Sequence, residues 1–560
     1  MKIAVVGTSN SILVNGYFPV YQALEYPNQT DNFSIGGANC QLIPYSIEKY
    51  KIFDTYDFLI TDCAVNDGDY LASNSRSPDW LYNELYSIMS MIKEAPIRHL
   101  HLIFPTDMAY NKHYQIHCQV CRELDIPYMD IEKIVSAAKN SGQKKLFYDS
   151  KHISLFLAKQ LAYLIKEERK NIFSSQKSND VSACYKHKKY IFCSLPEKFK
   201  GEFPTCTKSS SLLSDTYLVL KDSDTLCFEN LPELNLESIS FWTNTNAGYY
   251  TLTTEKQKQN HNSYYPDAHY TNFRPLAKKP FPINKFLKLQ AGIDPNIPKH
   301  LQENTFPPVS LENNELFLNA VLFSEELNPP LTWQVKNFPE KPANYLPAFQ
   351  KINSICTNID KYMHNNLQYI PDDCMFIAAV VYPQNSLLRK QYLTILKRTD
   401  NPYFAYYYAE LYLVPRKKYA LAVKILNTVK KQKIIINAIS LLVHCYLQLK
   451  QFDNALDTIE TLSEEKYRIT QLRLLCSIYA HMDLPELFFQ EAEQLLKLNE
   501  NFSTLFHIID NCIILKKYEE ALNYAKQIYA EPRNFFYKQH KKSIIKKVSS
   551  VLSYLNKETL

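Results

Sequence analysis

The stretch KIAVVGTSNS, residues 2–11, decides the fold of the first part of this 560-residue chain. A short apolar run, KIAVV, is followed at once by Gly7 and a group of small polar side chains. This pattern predicts a buried strand that places the hydroxyl of Ser9 just beyond its carboxyl end. Parallel sheets bind their ligands at that edge, so the question is what Ser9 does there.

The apolar residues of segment 1–170 alternate between strand-like and helix-like patterns. The strand-like runs are 2–6, 57–61, 99–104 and 126–129, and the helix-like stretches are 39–50, 79–93, 111–124 and 153–168. This succession predicts a mostly parallel sheet with helices on both faces, a flavodoxin-like α/β/α domain. Ser9, Gly37, Asn66 and Asp149 each follow a strand or precede a helix, so we expect them to converge at the carboxyl edge of the sheet.

Four short motifs occur in order along this segment. They are GTSNS with Ser9, SIGGANC with Gly36 and Gly37, CAVNDGDY with Asn66, and YDSKHIS with Asp149 and His152. Together they resemble the SGNH (GDSL-type) hydrolase and acyltransferase superfamily, whose four blocks supply Ser, Gly, Asn and Asp-x-x-His. The resemblance covers residues 1–170 and departs from the family at Thr8, where the family has Asp, and at Ala64, where it has Gly.

The resemblance implies a catalytic triad of Ser9, His152 and Asp149. It also implies an oxyanion hole made by the backbone N–H groups of Ser9 and Gly37 and the side-chain amide of Asn66. A serine hydroxyl needs an imidazole to take its proton, and a carboxylate fixes the imidazole tautomer. Alone, Asp-x-x-His is more typical of a solvated helix start, so the four motifs in order are what favours an active site.

The stretch HYQIHCQVC offers a second group of reactive side chains. His113, His117 and Cys121 recur every four residues, with Cys118 beside them, so three soft ligands share one helical face. A structural metal site usually draws ligands from two elements, and no second Cys or His pair at suitable spacing lies nearby in the sequence. We therefore predict a helix packed on the sheet and no metal ion.

The middle of the chain has a different pattern. Residues 165–190 are polar and lysine-rich and predict a linker, and short alternating runs then predict a β-sandwich of six to eight strands at 185–335, with a long loop at 256–312. Its aromatic side chains either stack on sugar rings, as in a carbohydrate-binding module, or form the sandwich core and its lid. The residues concerned are Trp242, Tyr249, Tyr250, Tyr264 and Tyr265.

Residues 340–560 show helical periodicity and an internal repeat. The motifs KKYALAV, KQFDNAL and KKYEEAL each place an aromatic residue three positions before an alanine. The second and third motifs are separated by twice the interval that separates the first and second. The interval is close to the period of about 34 residues of the tetratricopeptide repeat, which this region resembles without the tryptophan and glycine of its first helix. Pro532 is expected to end the last helix. The aromatic–alanine pairs are Tyr419 and Ala422, Phe452 and Ala455, and Tyr518 and Ala521.

Such helical hairpins have two interpretations. They either offer a concave surface to a biosynthetic protein or polymer partner, or only brace the rest of the chain.

Composition sets the broad class. The net charge of +6 is spread along the chain without an arginine-rich block, so a nucleic-acid partner is not indicated. A mildly basic protein suits an anionic polymer or a membrane surface. No signal peptide or transmembrane run is visible, and the thirteen cysteines are scattered. We expect a cytoplasmic protein, peripheral to the inner membrane if it joins a biosynthetic complex.

The resemblance sets the reaction class, acyl transfer at an ester through an acyl-enzyme on Ser9. The favoured function is O-acetylation of a bacterial capsule or other surface polysaccharide, with acetyl-CoA as the donor and no tightly bound cofactor. A carbohydrate esterase or deacetylase is the first alternative, and a non-catalytic assembly scaffold is the second. No signature for binding the adenine of coenzyme A is recognisable, so the donor depends on analogy.

Overall fold

The structure is a computed structural model. It describes residues 1–13, 16–72, 76–106, 112–174, 187–209, 213–243, 248–263, 271–275, 281–297, 315–325, 330–336, 338, 343–357, 371–432, 435–464, 467–498, 502–529, 549 and 553. Along the chain it builds a parallel α/β/α domain, a pair of antiparallel sheets and an all-helical region, as the sequence predicts.

The N-terminal sheet has five parallel strands in the order β2-β1-β3-β4-β5. They are β1 (Lys2–Val6), β2 (Gln29–Asn32), β3 (Phe58–Thr61), β4 (Arg98–Ile103) and β5 (Tyr128–Asp130). The order reverses between β1 and β3, and open sheets bind ligands beyond the carboxyl ends of the strands at such a point. The flavodoxin-like prediction is confirmed, and Ser9 follows one of the two strands that flank the reversal.

Helices cover both faces of this sheet. They are α1 (Ser9–Ile12), α2 (Tyr17–Glu25), α3 (Leu42–Lys49), α4 (Ile52–Thr55), α5 (Ala64–Ala72), α6 (Pro78–Glu94), α7 (Lys112–Glu123), α8 (Ile131–Asn140) and α9 (Leu155–Ser174). Because successive side chains of a strand point to opposite faces, Val5 belongs to one apolar core and Val6 to the other. The linker predicted at 165–190 is wrong over its first part, since α9 continues to Ser174; residues 175–186 lie outside the described residues.

The middle region forms a seven-stranded and a four-stranded antiparallel sheet. Its elements are β6 (Tyr190–Ser194), α10 (Leu195–Lys198), β7 (Thr205–Ser209), β8 (Ser214–Lys221), β9 (Thr225–Phe228), β10 (Leu234–Trp242), β11 (Tyr249–Thr253), β12 (Lys258–Asn262), β13 (Thr271–Pro275), β14 (Phe281–Ile283), β15 (Leu287–Ala291) and β16 (Glu315–Ser324). Side chains from both sheets share one core, for example Leu252 and Phe241, which makes the region a sandwich.

Two predictions for this region are corrected. The segment 256–312 is not one long loop, because β12 to β15 lie within it. Polar segments such as KQNHN become strands by pairing with the aromatic strand β11, so tertiary pairing overrides local propensity. The proposed sugar-stacking side chains Trp242, Tyr249 and Tyr250 are buried at 2%, 7% and 2% exposure, so these three belong to the interior. Tyr264 and Tyr265 lie outside the described residues.

The described residues of the C-terminal region form helices joined by turns. It comprises α11 (Leu346–Thr357), α12 (Asp372–Val381), α13 (Ser386–Leu396), α14 (Pro402–Tyr408), a π-helical turn (Ala409–Leu413), a 3₁₀ turn (Val414–Arg416), α15 (Tyr419–Gln432), α16 (Ile436–Gln448), α17 (Phe452–Glu460), α18 (Arg468–His481), α19 (Pro485–Leu498), α20 (Phe502–Ile514) and α21 (Tyr518–Tyr529). None of the helices in the described ranges is both long and apolar enough to cross a membrane.

The predicted repeat is visible as a regular helical hairpin. Helices α15, α17, α19 and α21 begin at equal intervals along the chain, and Ala422, Ala455 and Ala521 are fully buried. Before each of these helices the preceding one ends in a turn of the same kind, in which, for example, Gln451 N–H donates to Tyr446 O at 2.9 Å. The identification with the tetratricopeptide family stays a prediction, and Pro532 lies outside the described residues. The turn residues with positive φ are Lys417, Lys450, Asp483 and Lys516.

Candidate active site

Ser9 lies where the sequence predicts, at the first position of α1 and shortly beyond the end of β1. The close packing of the preceding turn explains why it contains a glycine. A Cβ atom on Gly7 would collide with the carboxylate of Asp62 and with Oγ of Ser11. Glycine therefore lets the chain pass over the end of β3, and the next turn places Ser9, half-buried, at the edge of the sheet.

Asp62 supports this turn and was missed by sequence reasoning. The backbone N–H and the hydroxyl of Thr8 each donate to Asp62 Oδ1 at 3.0 Å, and Ser11 also donates to this carboxylate. Burial raises the pKa of Asp62, and these donors partly oppose that shift. The threonine that departs from the family motif thus holds the serine turn against β3. Only the position of Asp62 directly after an apolar run could have marked it.

Two of the predicted oxyanion residues, Gly37 and Asn66, lie on adjacent segments. Gly37 has φ +77°, a backbone conformation that side chains rarely adopt. Asn66, in α5, is buried and donates from Nδ2 to Ala38 O at 2.9 Å, while Asp67 Oδ1 accepts from Cys40 N–H at 3.0 Å. These two bonds fasten the loop of Gly37 to the start of α5.

The second departure from the family motif, Ala64, is accommodated by its backbone. Ala64 is the first residue of α5, and it is not among the described residues with positive φ. No glycine is required there, so an alanine starts the helix that carries Asn66 without strain.

Asp149 and His152 form the predicted pair. His152 Nδ1 lies 2.9 Å and 2.8 Å from the two carboxylate oxygens of Asp149, and the N–H groups of Lys151 and His152 donate to Asp149 Oδ1. Burial raises the pKa of Asp149, but the bonds from His152 and the two N–H groups outweigh it, and the pKa is lowered. An ionised Asp149 holds the proton of His152 on Nδ1. His152 Nε2 is then a buried acceptor without a partner among the described residues.

The serine turn and the Asp–His loop meet at this edge. Asn10, next to Ser9, donates from Nδ2 to Lys151 O at 3.5 Å. Within the described residues no hydrogen bond joins Ser9 to His152. The structure thus brings the serine turn and the loop of Asp149 and His152 together. The complete triad of Ser9, His152 and Asp149 stays a prediction.

Comparisons with known proteins find matches among solved structures. No family model matches the chain, and no curated protein matches it. A two-domain esterase described as active on acetylated mannans has a TM-score of 0.40 and 11% identity, covering 58% of this chain and 91% of that one. The same esterase co-crystallised with mannopentaose has a TM-score of 0.41, 11% identity and the same coverage, 58% and 91%.

Other solved structures match only the N-terminal part of the chain. An acetyl xylan esterase from Geobacillus stearothermophilus has a TM-score of 0.25 and 18% identity over 32% of this chain and 97% of that one. A member of the lipolytic protein G-D-S-L family from Veillonella parvula DSM 2008 has a TM-score of 0.26 and 16% identity over 31% and 100%. At these values the likeness concerns the chain fold and does not extend to residues or substrates.

Proposed function

We propose that the N-terminal domain is a serine-dependent acyl-transfer enzyme whose substrate is an O-acetylated carbohydrate. His152 Nε2 takes the proton of Ser9, and Ser9 Oγ attacks the ester carbonyl. The sugar hydroxyl then leaves with that proton, and the acetyl group stays on Ser9. Water, activated by the same imidazole, attacks the acetyl-enzyme and releases acetate.

The observation that carries this proposal is the state of the His152 ring. Its Nδ1 is committed to Asp149, and its Nε2 is buried without a partner among the described residues. Leaving a buried polar atom unpaired costs about 1–3 kcal/mol, so a fold retains it where a second group, here the hydroxyl of Ser9, is to be bound. The following helix, α9, begins only at Leu155, so Asp149 is not at its start.

The oxyanion that forms in the reaction needs several preorganised donors. The proposal assigns the backbone N–H groups of Ser9 and Gly37 and the amide of Asn66 to this task. The Asn66 amide carries two hydrogens, and Ala38 O is the acceptor of one among the described residues, which leaves the other for the substrate. Each donor removed from such a hole costs about 10²–10³-fold in rate.

The first experiment measures acetate release from aryl acetates and from a panel of acetylated polysaccharides. We expect Ser9→Ala to lower kcat/KM by at least about 10³-fold without unfolding the chain, since the nucleophile is lost. Ser136→Ala, which removes an exposed hydroxyl on α8, is the matched control and retains the rate. His152→Ala combined with Ser9→Ala should be no worse than Ser9→Ala alone, because the residues act as a unit.

Unchanged activity in Ser9→Ala would remove the proposal. Unchanged activity in Asp149→Asn or His152→Ala would remove the triad assignment and leave Ser9 in place. A folded wild-type protein that neither releases nor transfers acetate would favour the non-catalytic scaffold.

The second candidate is O-acetylation of a polysaccharide with acetyl-CoA as the donor. It is favoured by the helical region, whose α11 and α12 pack against α8 and α9 of the catalytic domain. Stacked helix pairs fixed to the enzyme suit a polymer or a biosynthetic partner better than a small ester. Labelled acetyl-CoA and non-acetylated polysaccharides distinguish the two: label in the polymer identifies a transferase, and free acetate from acetylated polymers alone identifies an esterase.

A further inference from the structure

A second group of reactive side chains lies in the core beneath the candidate active site. Cys63 follows β3, His101 is on β4 and His117 is on α7. The thiol sulfur and one nitrogen of each ring lie within 4.8 Å of one another, and the three side chains are at most 1% exposed. The sequence predicted His117 on a helix, and the fold adds His101 from β4 and Cys63 from the segment that follows the neighbouring strand β3.

The outer nitrogens of both rings are already held by oxygen atoms. His117 Nε2 lies 3.0 Å from Asp67 Oδ2, and His101 Nδ1 lies 2.7 Å from Thr61 Oγ1. The inner nitrogens, His117 Nδ1 and His101 Nε2, therefore face each other at 2.9 Å, with the two rings within 7° of parallel. Histidine ligands of metal ions are oriented in this way by carboxylates and other outer partners.

A hydrogen-bonded chain of neutral imidazoles is the competing explanation. The separation of 2.9 Å suits a hydrogen bond between the rings, and such a chain would end on Asp67. That explanation accounts for the nearby thiol of Cys63 only as a further donor to the carboxylate of Asp67. It leaves His113, one turn before His117 on α7, with both ring nitrogens buried and unpartnered among the described residues.

We propose that Cys63 Sγ, His101 Nε2 and His117 Nδ1 bind one zinc ion or a similar divalent transition metal. Thiolate and imidazole are the ligands that zinc prefers. Two nitrogens on one tetrahedral zinc lie about 3.3 Å apart, so the rings need to separate by only a few tenths of an ångström. Binding releases one proton, from the Cys63 thiol, to solvent.

The ion would join three elements below the catalytic edge. Cys63 directly precedes α5, the helix that carries Asn66, so a ligand bond at Cys63 fixes the entry into that helix. This role is structural and does not depend on any chemistry at Ser9. The metal content of the full chain therefore tests it separately from the proposed function.

The experiment measures zinc in full-length protein purified from zinc-supplemented cells, followed by equilibrium dialysis with Zn²⁺ and Co²⁺. We expect about one equivalent per chain, as one site implies. A cobalt-loaded sample should show a thiolate-to-metal charge-transfer band. Cys63→Ser should abolish that band and weaken metal binding at least tenfold. His117→Gln should also weaken metal binding at least tenfold.

Cys118→Ser is the matched control, because Cys118 is a buried thiol beside His117 on the same helix and lies outside the cluster. It should keep both the metal and the band. Wild-type protein that takes up neither Zn²⁺ nor Co²⁺ would overturn the proposal and leave the hydrogen-bonded chain. Metal retained with an unchanged band in Cys63→Ser would also overturn it. Should His117→Gln fail to fold, the wild type and Cys63→Ser still decide.

Discussion

The N-terminal domain meets its two neighbours through different chemistry. Against the sandwich it packs apolar side chains such as Phe273 and Leu322 and also buries a charged cluster, in which Lys188 lies between Glu84 of α6 and Glu237 of β10. Against the helical region it shares one continuous apolar core that runs from α8 and α9 into α11 and α12. Both interfaces are apolar, and the buried charged cluster makes the one with the sandwich the more directional of the two.

The charged cluster is fully bonded. Lys188 Nζ lies 2.9 Å from Glu237 Oε1, and Gln41 Nε2 donates to both carboxylates, at 3.1 Å to Glu84 and 2.8 Å to Glu237. Burial lowers the pKa of Lys188, but the two carboxylates outweigh it and raise the pKa, so the lysine stays charged. Such a cluster holds the sandwich in one orientation, whereas an apolar interface tolerates small shifts.

The largest expected loss of stability comes from breaking the charged cluster at the interface with the sandwich. Lys188→Met leaves Glu84 and Glu237 buried together without a cation, and we expect a loss of about 3–5 kcal/mol in unfolding free energy. Denaturant unfolding of the full chain measures it. Lys189→Met is the control, because Lys189 is exposed and its pairing with Glu325 at 3.3 Å should contribute less than about 1 kcal/mol. Equal effects of the two substitutions would refute the directional interface.

The next effect tests the apolar interface. Ile352 on α11 is fully buried, and Ile352→Ala should cost about 2–4 kcal/mol through lost contacts and a cavity. Gln350→Ala, on the exposed side of the same helix, should change stability by less than about 0.5 kcal/mol. A substitution to Leu should recover part of the loss at Ile352, since volume matters more than direction here. If the substitution to Leu recovers none of the lost stability, the apolar interface is as specific as the charged one.

A smaller effect comes from one directional contact inside the apolar interface. The hydroxyl of Tyr345 donates to Asp130 O at 2.9 Å and accepts from Asp130 N–H at 3.0 Å, at the end of β5. Tyr345→Phe leaves both backbone groups buried and unpaired, and we expect a loss of about 1–3 kcal/mol. Thermal unfolding is the readout. A loss below about 0.5 kcal/mol would mean that water replaces the hydroxyl.

The smallest expected loss of stability comes from an ion pair at the rim of the interface with the helical region. Lys166 Nζ pairs with Asp373 Oδ2 at 2.7 Å and also donates to Leu24 O. Asp373→Asn should cost about 0.5–1 kcal/mol, and added salt should reduce that difference. The difference caused by Lys188→Met should respond much less to salt, because buried pairs are weakly screened. Similar salt sensitivity at both sites would contradict the view that the Lys188 cluster is buried and the Asp373 pair is at the rim.

The sheet of the N-terminal domain was predictable because its strands are apolar and separated by helices. The strand β2, QTDN, was missed, since an edge strand with polar residues carries no hydrophobic signal. The pair Asp149 and His152 was predicted from close spacing within one motif. Asp62 was not, because its partners Thr8 and Ser11 lie far from it in sequence.

Long-range polar contacts account for the other failures. Lys188 falls in the segment that its polarity marked as a linker, yet it is buried because two distant carboxylates neutralise it. In the same way Cys63, His101 and His117 come from three separate segments of the chain and meet only in the fold. Local patterns predict helices and strands, and they do not predict which buried polar groups will find each other.

The turns that precede α15, α17, α19 and α21 carry a further consequence. Lysine or aspartate occupies each left-handed position, and these positions recur at equal intervals along the chain. Each unit therefore joins its successor in the same manner, and one unit can be duplicated or deleted without altering the junctions that remain. Gene duplication can then lengthen the helical region in steps of one unit, while the N-terminal domain stays unchanged.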